Sequence, residues 1–285
     1  MTKAAVAPAK RVLIVDDEPL IRELLRVPLS NAGYEVEQAG DGVEGLESLK
    51  AKSFDLVLLD IWMPRMNGIE MLAGLHSLPS PPRVIVMTAD HTPDTLLNAI
   101  REEAYHYIGK PFSPSALVEL VGKTLSTTAP APPIEILSAK SDWVELLVPC
   151  EPNVVERIQS FLIGMKGDLP EALRETIGQA FRELLLNAIE WGGKLDPNRK
   201  VHIAYLRTKR MIMYRIADPG SGFRFDQLPH SALSNPAGDS LQHLAVREEK
   251  GLRPGGFGIL LTRALVDELI YNQAQNEVVF IKYLS

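Results

Sequence analysis

Hydrophobic and polar positions divide the chain into two regions with different patterns. From residue 11 to about residue 125, short apolar runs alternate with amphipathic stretches such as Glu44–Lys50 and Leu96–Glu103. The apolar runs predict five strands: Val12–Asp16, Tyr34–Glu37, Leu56–Asp60, Val84–Thr88 and Tyr105–Ile108. Near-continuous apolar strands separated by helices indicate a parallel sheet covered by helices on both faces.

The second region, after residue 138, groups its strands and helices instead of alternating them. In chain order the patterns predict a strand, two helices, two strands, a helix and a strand: Trp143–Val148, Asn153–Met165, Pro170–Trp191, Val201–Arg207, Met211–Ala217, Ile259–Leu269 and Glu277–Tyr283. The two close strands in the middle are typical of an antiparallel hairpin. This grouping predicts an α+β sandwich with helices on one face of the sheet.

Small residues and prolines separate the two regions. Residues 126–138 read STTAPAPPIEILS, and Pro130, Pro132 and Pro133 favour an extended, fairly stiff linker. A chain of 285 residues is long enough for two hydrophobic cores. The predicted organisation is therefore an α/β domain at residues 10–125, with five βα units and a doubly wound parallel sheet. A linker at 126–138 and the α+β sandwich at 139–285 follow it.

Composition narrows the cellular setting. The formal net charge is −6 at pH 7 and no basic stripe is visible, which disfavours a nucleic-acid partner. Cys150 is the single cysteine, so the chain forms no intrachain disulfide and a reducing compartment is expected. No apolar run approaches the roughly 20 residues of a membrane span, and residues 1–10 do not resemble a signal peptide. We therefore expect a cytoplasmic protein with no membrane partner.

Polar residues with a common chemistry stand at the ends of the apolar strands in the first region. Asp16, Asp17, Asp60 and Thr88 close strands, and Lys110 follows another. Functional groups of an open parallel sheet collect where the strands end, so these residues are expected to converge. Three carboxylates at one edge repel each other unless a cation lies among them, and their oxygens suit Mg²⁺. The hydroxyl and the ammonium are suited to hold phosphoryl oxygens.

These residues also resemble a known family. The segment D-I-W-M-P-R-M-N-G at 60–68 is similar to the phosphorylation loop of bacterial response-regulator receiver domains, and VDDEP, TAD and KPF at 15–19, 88–90 and 110–112 complete that pattern in order. The resemblance covers about residues 10–125 and implies a flavodoxin-like fold, with an upstream histidine kinase or phosphotransfer protein as partner. It implies Asp60 as phosphoacceptor, Asp17 and Asp60 as Mg²⁺ ligands with the backbone carbonyl of Trp62, and Asp16 acting through water.

The same resemblance assigns three further roles. Thr88 and Lys110 would bind the phosphoryl oxygens. Tyr107, three residues before Lys110, matches the aromatic switch residue, which turns inward when the threonine moves toward phosphate. Plain packing explains Tyr107 equally well, and the sequence leaves that alternative open.

Three motifs in the second region have the chemistry of a nucleotide pocket. In FRELLLNAIEWGG (181–193), Glu183, Asn187 and Glu190 share one helical stripe, and a carboxylate with a carboxamide can hold Mg²⁺ and position a nucleophile. DPGSG (218–222) follows a strand, so that its Asp can accept from an exocyclic amine while its glycines admit a flat base. GGFGI (255–259) opens a helix, where glycines suit phosphate binding.

The ordered trio resembles the N, G1 and G2 boxes of the GHKL ATPase superfamily, and the layout is closest to the anti-sigma-factor serine kinases. This resemblance covers about residues 139–285 and implies ATP and Mg²⁺ as cofactors. Trp191 departs from it, since the family often has histidine there. The resemblance implies Asn187 as a Mg²⁺ ligand, Glu183 as the general base and Asp218 as the acceptor for adenine. Gly220 and Gly222 would shape the base pocket. Gly256 and Gly258 would border the phosphates.

Three functions remain open to the sequence. The leading hypothesis is a response regulator in which Asp60 phosphorylation controls a protein serine/threonine kinase acting on a separate anti-sigma antagonist. The alternative is a module that binds nucleotide, or sequesters a sigma-factor-like protein, without transferring phosphate. A histidine kinase ranks last, because none of the six histidines is followed by an acidic residue in a dimerisation-type helix. Homodimerisation through either domain is left open.

Overall fold

The computed structural model describes residues 9–90, 92–126, 132–140, 142–164, 169–222, 249 and 257–284. The chain divides into two compact units, Met1–Ala131 and Pro132–Ser285. None of the helices in the described residues combines the length and the hydrophobicity needed to cross a membrane.

The first unit contains one parallel sheet of five strands. Its elements alternate strictly along the chain: β1 (Arg11–Val15), α1 (Pro19–Asn31), β2 (Glu35–Ala39), α2 (Gly42–Ala51), β3 (Leu56–Asp60), α3 (Gly68–Leu75), β4 (Arg83–Thr88), α4 (Pro93–Arg101), β5 (His106–Gly109) and α5 (Pro114–Ser126). The strand order is β2-β1-β3-β4-β5, with every neighbouring pair parallel. The predicted doubly wound, flavodoxin-like fold is therefore confirmed.

Both faces of this sheet are buried, which is why its strands read as continuous apolar runs. On one face Val12, Ile14, Leu56 and Leu58 pack with residues of α1 and α5, such as Leu25, Leu29, Leu117 and Val121. The alternate residues Leu13, Val15, Val57 and Leu59 are equally buried on the other face. Paired registers align the carboxyl ends of β3, β4 and β5, with Asp60 opposite Met87 and Thr88 opposite Gly109.

The second unit contains an antiparallel sheet of six strands. Its elements are β6 (Glu135–Lys140), β7 (Trp143–Pro149), α6 (Asn153–Gly164), α7 (Glu171–Asn187), a π-helical turn (Ala188–Gly192), β8 (Lys200–Arg207), β9 (Met211–Ala217), α8 (Gly258–Leu265), β10 (Glu268–Tyr271) and β11 (Glu277–Tyr283). The strand order is β10-β11-β9-β8-β7-β6. Every neighbouring pair is antiparallel, in agreement with the predicted α+β sandwich.

An aromatic cluster joins α7 to the middle of this second sheet. The ring of Tyr214 on β9 lies 5.0 Å from the rings of Phe181 and Tyr205 and 4.9 Å from that of Phe280. All four side chains are almost completely buried. Aromatic pairs at such distances add to the stabilisation from buried area, so the cluster fixes the helix that carries the polar stripe.

The two largest differences from the predicted boundaries in this unit concern a helix end and a strand start. The helix predicted at Ile259–Leu269 ends at Leu265, because Val266 has extended backbone angles (φ −110°, ψ 160°), and β10 follows. The strand β6 begins at Glu135, inside the stretch predicted as linker (126–138), and pairs with β7 through a register shift. No residue of this edge strand is buried, so it lacks the alternation of apolar and polar residues that identifies a half-buried strand. Residues 127–131 of the predicted linker lie outside the described residues.

Candidate functional site

The parallel sheet brings the predicted phosphorylation residues together at its carboxyl edge. Asp16 follows β1, Asp60 ends β3, Thr88 ends β4 and Lys110 follows β5. The Nζ of Lys110 lies 2.7 Å from Asp16 Oδ2 and 2.9 Å from Asp60 Oδ1. Asp60 is only 4% exposed, and Asp16 and Thr88 are fully buried. The convergence of four strand ends on one buried cluster follows from the strand order.

The charged groups of this cluster change one another's pKa values. Burial raises the pKa of the Asp60 carboxyl, Lys110 opposes that rise, and the nearby Asp16 and Asp17 reinforce it. Burial lowers the pKa of Lys110, but its bonds to Asp16 and Asp60 outweigh burial and leave that pKa raised. One ammonium therefore does not neutralise the carboxylates, and a cation at this edge would be favoured.

The carboxylate ligands at this edge suit Mg²⁺ better than a metal ion that is coordinated entirely by protein side chains. Among the described residues, no group of three His, Cys, Asp or Glu side chains is placed to hold a metal ion. Mg²⁺ is usually held by one or two carboxylates and keeps several waters. Asp17, which is exposed to solvent, and Asp60 satisfy that requirement, and the N–H of Trp62 donates to Asp60 Oδ2 at 3.1 Å.

The loop between β3 and α3 is held close to Asp60 by contacts that sequence reasoning missed. A methyl group on Gly68 would overlap the backbone carbonyl of Asp60, so only glycine fits there. Arg65 has a left-handed backbone (φ 64°) and forms ion pairs with Asp41 and Glu44. Asp41 also accepts from the N–H groups of Val43 and Glu44 and so caps α2. An aspartate directly before the helix, at Asp41, was the sequence signal for this cap.

The structure connects the predicted switch residues Thr88 and Tyr107 through Asp90. The N–H of Asp90 donates to Thr88 Oγ1 at 3.1 Å, and the hydroxyl of Tyr107 donates to the Asp90 carbonyl at 3.4 Å. Tyr107 is buried, and burial raises the pKa of its phenol. A displacement of Thr88 would therefore reach Tyr107 through one intervening residue.

The polar stripe on α7 lies against the start of α8. A methyl group on Gly258 would lie 2.6 Å from Glu183 Oε2 and 3.7 Å from Asn187 Nδ2. Glu183 and Asn187 are half-buried, whereas Leu184 and Leu185 between them are buried. A helix N-terminus carries free N–H groups and a partial positive charge, which favour phosphate. A carboxylate and a carboxamide beside it supply oxygen ligands for Mg²⁺, so the residues present fit a Mg²⁺-bound nucleotide.

The π-helical turn that follows α7 contacts Asp218, the predicted adenine acceptor. The π-helical turn after Asn187 places Gly192 so close to Asp218 that a methyl group on Gly192 would overlap the carboxyl group. Asp218 Oδ1 accepts from the N–H of Gly220 at 2.7 Å. Burial raises the pKa of Asp218, and the Gly220 N–H and the charge of Arg199 oppose that rise. The π-helical turn after α7 and the DPGSG segment are therefore in contact at Gly192 and Asp218.

The remaining predicted residues of this pocket have different outcomes. Gly222 has a left-handed backbone (φ 84°) and packs against Ala274. Gly256 lies outside the described residues. Trp191, at the position where the resembled family often has histidine, is 41% exposed. The roles of all these residues stay predictions.

Gly192→Ala is expected to weaken Mg·ATP binding by about tenfold or more, because overpacking of this size costs about 1–3 kcal/mol and Asp218 must move to relieve it. Calorimetric titration of the full chain measures the affinity. Gly122→Ala in α5 is the matched control, since its methyl group would lie 3.6 Å from the Tyr34 hydroxyl, an ordinary contact. An unchanged affinity in Gly192→Ala would show that the position of Asp218 does not matter to the nucleotide.

Comparisons with known proteins agree with both halves of this description. The profile of the family "Response regulator receiver domain" matches residues 12–122, and that of the "Histidine kinase-like ATPase domain" matches residues 148–282. The DNA-binding response regulator MtrA of Mycolicibacterium smegmatis is 33% identical over 204 residues, which cover 70% of this chain and 87% of that protein. Chemotaxis protein CheY of Thermotoga maritima is 39% identical over 115 residues, or 40% of this chain and 96% of that protein.

One solved structure is similar to part of this chain. The crystal structure of a CheY-like response regulator receiver domain protein from Methanospirillum hungatei shares 35% identity and covers 41% of this chain and 94% of its own, with a TM-score of 0.40. Receiver domains imply an upstream histidine kinase or phosphotransfer protein, and the two matched families generally use Mg²⁺ and ATP. The chain belongs to the response regulators, and its receiver domain is followed by a histidine kinase-like ATPase domain as output.

Proposed function

We propose that phosphorylation of Asp60 controls the output domain, and that this domain is a protein serine/threonine kinase acting on a separate partner of the anti-sigma-antagonist type. The observation that carries the proposal is the contact of Gly258 with Glu183 and Asn187, which unites a general base, a metal ligand and a helix N-terminus. The ATP-binding family of the output domain and the anti-sigma-kinase layout of its sequence support the same function.

Phosphorylation of the receiver domain would switch the state of the protein. A carboxylate oxygen of Asp60 would attack the phosphorus of a phosphohistidine, so that an O–P bond forms as the N–P bond breaks. Lys110 already contacts Asp60 and would neutralise the incoming phosphoryl oxygens, and bound Mg²⁺ would supply further charge neutralisation. The Thr88 hydroxyl would donate to the phosphoryl group. Its movement would disturb the Asp90 N–H bond and, through Asp90, the buried Tyr107.

Residues of the output domain would catalyse the phosphoryl transfer. Glu183 would accept the proton of the partner's serine or threonine hydroxyl, whose oxygen then attacks the terminal phosphorus of the nucleotide. Asn187 would hold the metal ion, and the N–H groups at the start of α8 would face the phosphates. Asp218 would accept a hydrogen bond from the exocyclic amine of adenine.

A second candidate is a sequestering module that binds nucleotide or a sigma-factor-like protein and transfers nothing. Trp191 favours it, because the resembled kinases often have histidine at that position. Trp191 leaves Glu183 and Asn187 in place, so the kinase remains the leading proposal. The DNA binding in the printed name of MtrA is not carried over, since residues 148–282 here match an ATPase family.

To test whether Asp60 phosphorylation regulates the output domain, Mg·ATP affinity is compared in two forms of the full chain. One form is phosphorylated on Asp60 by a small-molecule phosphodonor, and the other is the Asp60→Asn variant. A difference of about fivefold or more is expected, since typical coupling free energies are about 1–3 kcal/mol. Equal affinities would place the control at partner docking instead of at the nucleotide. If neither form binds Mg·ATP, the kinase proposal fails.

A further inference from the structure

The turn between β10 and β11 holds the DPGSG segment by hydrogen bonds on both sides of Pro219. The N–H of Asp218 donates to the Asn276 carbonyl at 2.8 Å. The side-chain Nδ2 of Asn276 donates to the Gly220 carbonyl at 3.0 Å. None of the three nucleotide motifs includes this turn, yet Asn276 binds the residue before and the residue after Pro219.

The side chain of Asn276 is fixed by a second asparagine in the same turn. Asn272 Nδ2 donates to Asn276 Oδ1 at 2.8 Å, and Asn272 Oδ1 accepts from the N–H groups of Asn276 at 3.1 Å and Glu277 at 3.3 Å. Because Oδ1 of Asn276 is occupied by a donor, its amide group has one orientation, with Nδ2 directed at Gly220. The turn therefore presents a rigid donor to the DPGSG segment.

Two further contacts confine the same segment. Arg199 Nη2 donates to the carbonyl of Pro219. Gly222 has a left-handed backbone and packs so closely on the Ala274 carbonyl that a methyl group there would overlap it. The segment is thus held at one point by Arg199, the residue before β8, and at several points by the β10–β11 turn.

This anchoring determines how the Asp218 carboxylate faces the pocket. Gly220, whose carbonyl is bound by Asn276, donates its N–H to Asp218 Oδ1 at 2.7 Å. With Oδ1 occupied, Oδ2 is the oxygen left to accept from a base. Adenine offers an amine donor at its 6 position, whereas guanine offers a carbonyl acceptor there. A carboxylate held in this orientation bonds the first and repels the second.

We propose that Asn276 is a positioning residue for nucleobase selection: it fixes Gly220, and through Gly220 the Asp218 carboxylate, so that the pocket takes an adenine nucleotide and rejects a guanine nucleotide. The inference rests on the proposed ATP site and adds the residue that sets its base specificity. Asn276 acts through Asp218 and does not touch the base.

The test is the ratio of Mg·ATP to Mg·GTP affinity in the full chain, measured by calorimetry for wild type and for Asn276→Asp. The variant keeps the shape of the side chain but replaces the Nδ2 donor with an oxygen that repels the Gly220 carbonyl. The ATP affinity is expected to fall about tenfold, with GTP affinity changed less than about threefold, because the Gly220 carbonyl loses its donor and the Asp218 carboxylate is no longer held in the orientation that accepts from adenine. Gln273→Ala, at an exposed position of the same turn, is the matched control and should leave the ratio unchanged.

The outcomes separate this inference from the function on which it rests. A wild type that prefers ATP, with the same preference in Asn276→Asp, overturns the role of Asn276 and leaves the ATP site standing. Equal weakening of both nucleotides also overturns it, since that result indicates a general structural role. A wild type that binds neither nucleotide overturns the proposed function itself. If Asn276→Asp does not fold, Asn276→Ala removes the same donor without adding a charge. The ratio of Mg·ATP to Mg·GTP affinity is then measured on Asn276→Ala, and the same outcomes apply.

Discussion

Glu183→Gln is expected to reduce phosphotransfer by about 10²–10⁴-fold, the usual contribution of a general base, while Mg·ATP affinity stays within about threefold. The glutamine keeps the size of the side chain beside Gly258 but cannot accept the proton of an attacking hydroxyl. Because Asn187 and Asp218 are untouched, the nucleotide should still bind. The measurement is transfer of label from γ-labelled Mg·ATP to proteins that co-purify with the full chain, with the modified residue located by mass spectrometry.

The matched control for this prediction is Glu175→Gln, an exposed glutamate on the same helix, which should leave transfer unchanged. Transfer that survives in Glu183→Gln would mean that another group is the base. A wild type that binds Mg·ATP and labels no partner would instead favour the sequestering module. Label found on a histidine would support the histidine kinase that the sequence ranks last.

Asp60→Asn is expected to abolish phosphorylation of the receiver and, in the absence of Mg²⁺, to raise its melting temperature by roughly 4 °C, the effect of about 1 kcal/mol in a domain of this size. Burial raises the pKa of Asp60, with Asp16 and Asp17 adding to the rise and Lys110 opposing it. A raised pKa in the folded state means that the ionised form destabilises the fold at neutral pH. That cost is absent below the unfolded pKa and grows as the pH rises through the folded pKa. Asparagine removes it, and Lys110 keeps its bond to Asp16.

The same variant should lose the stabilisation that Mg²⁺ gives to wild type, because it lacks one of the two proposed carboxylate ligands. Thermal unfolding with and without Mg²⁺ measures both effects. Asp55→Asn gives a contrast of opposite sign: burial raises the pKa of that carboxyl, but its bonds with Lys10 and Arg11 outweigh burial and lower it. Asp55→Asn should therefore destabilise the domain at neutral pH. A lower melting temperature for Mg²⁺-free Asp60→Asn would show that attraction to Lys110 exceeds the repulsion among the carboxylates.

Features that depend on local pattern and on topology could be predicted from the amino-acid sequence. Continuous apolar runs ending in Asp60 and Thr88 identified a parallel sheet, and parallel strands place their carboxyl ends at one edge. The sequence was therefore enough to predict that these residues lie close to Asp16 and Lys110. The polar stripe of Glu183 and Asn187 was equally readable, because residues three and four apart share a helix face.

The residues that hold those sites in place became visible only in the folded chain. The strand β10 and the edge strand β6 are too short or too exposed to show a period, and pairing with β11 and β7 defines them. Gly192 and Gly258 look like turn glycines until Asp218 and Glu183 are seen beside them. Asn276 lies 56 residues from Gly220 along the chain. Contacts between such distant segments leave no local periodicity in the sequence, so their partners become visible only when the sheet has brought them together.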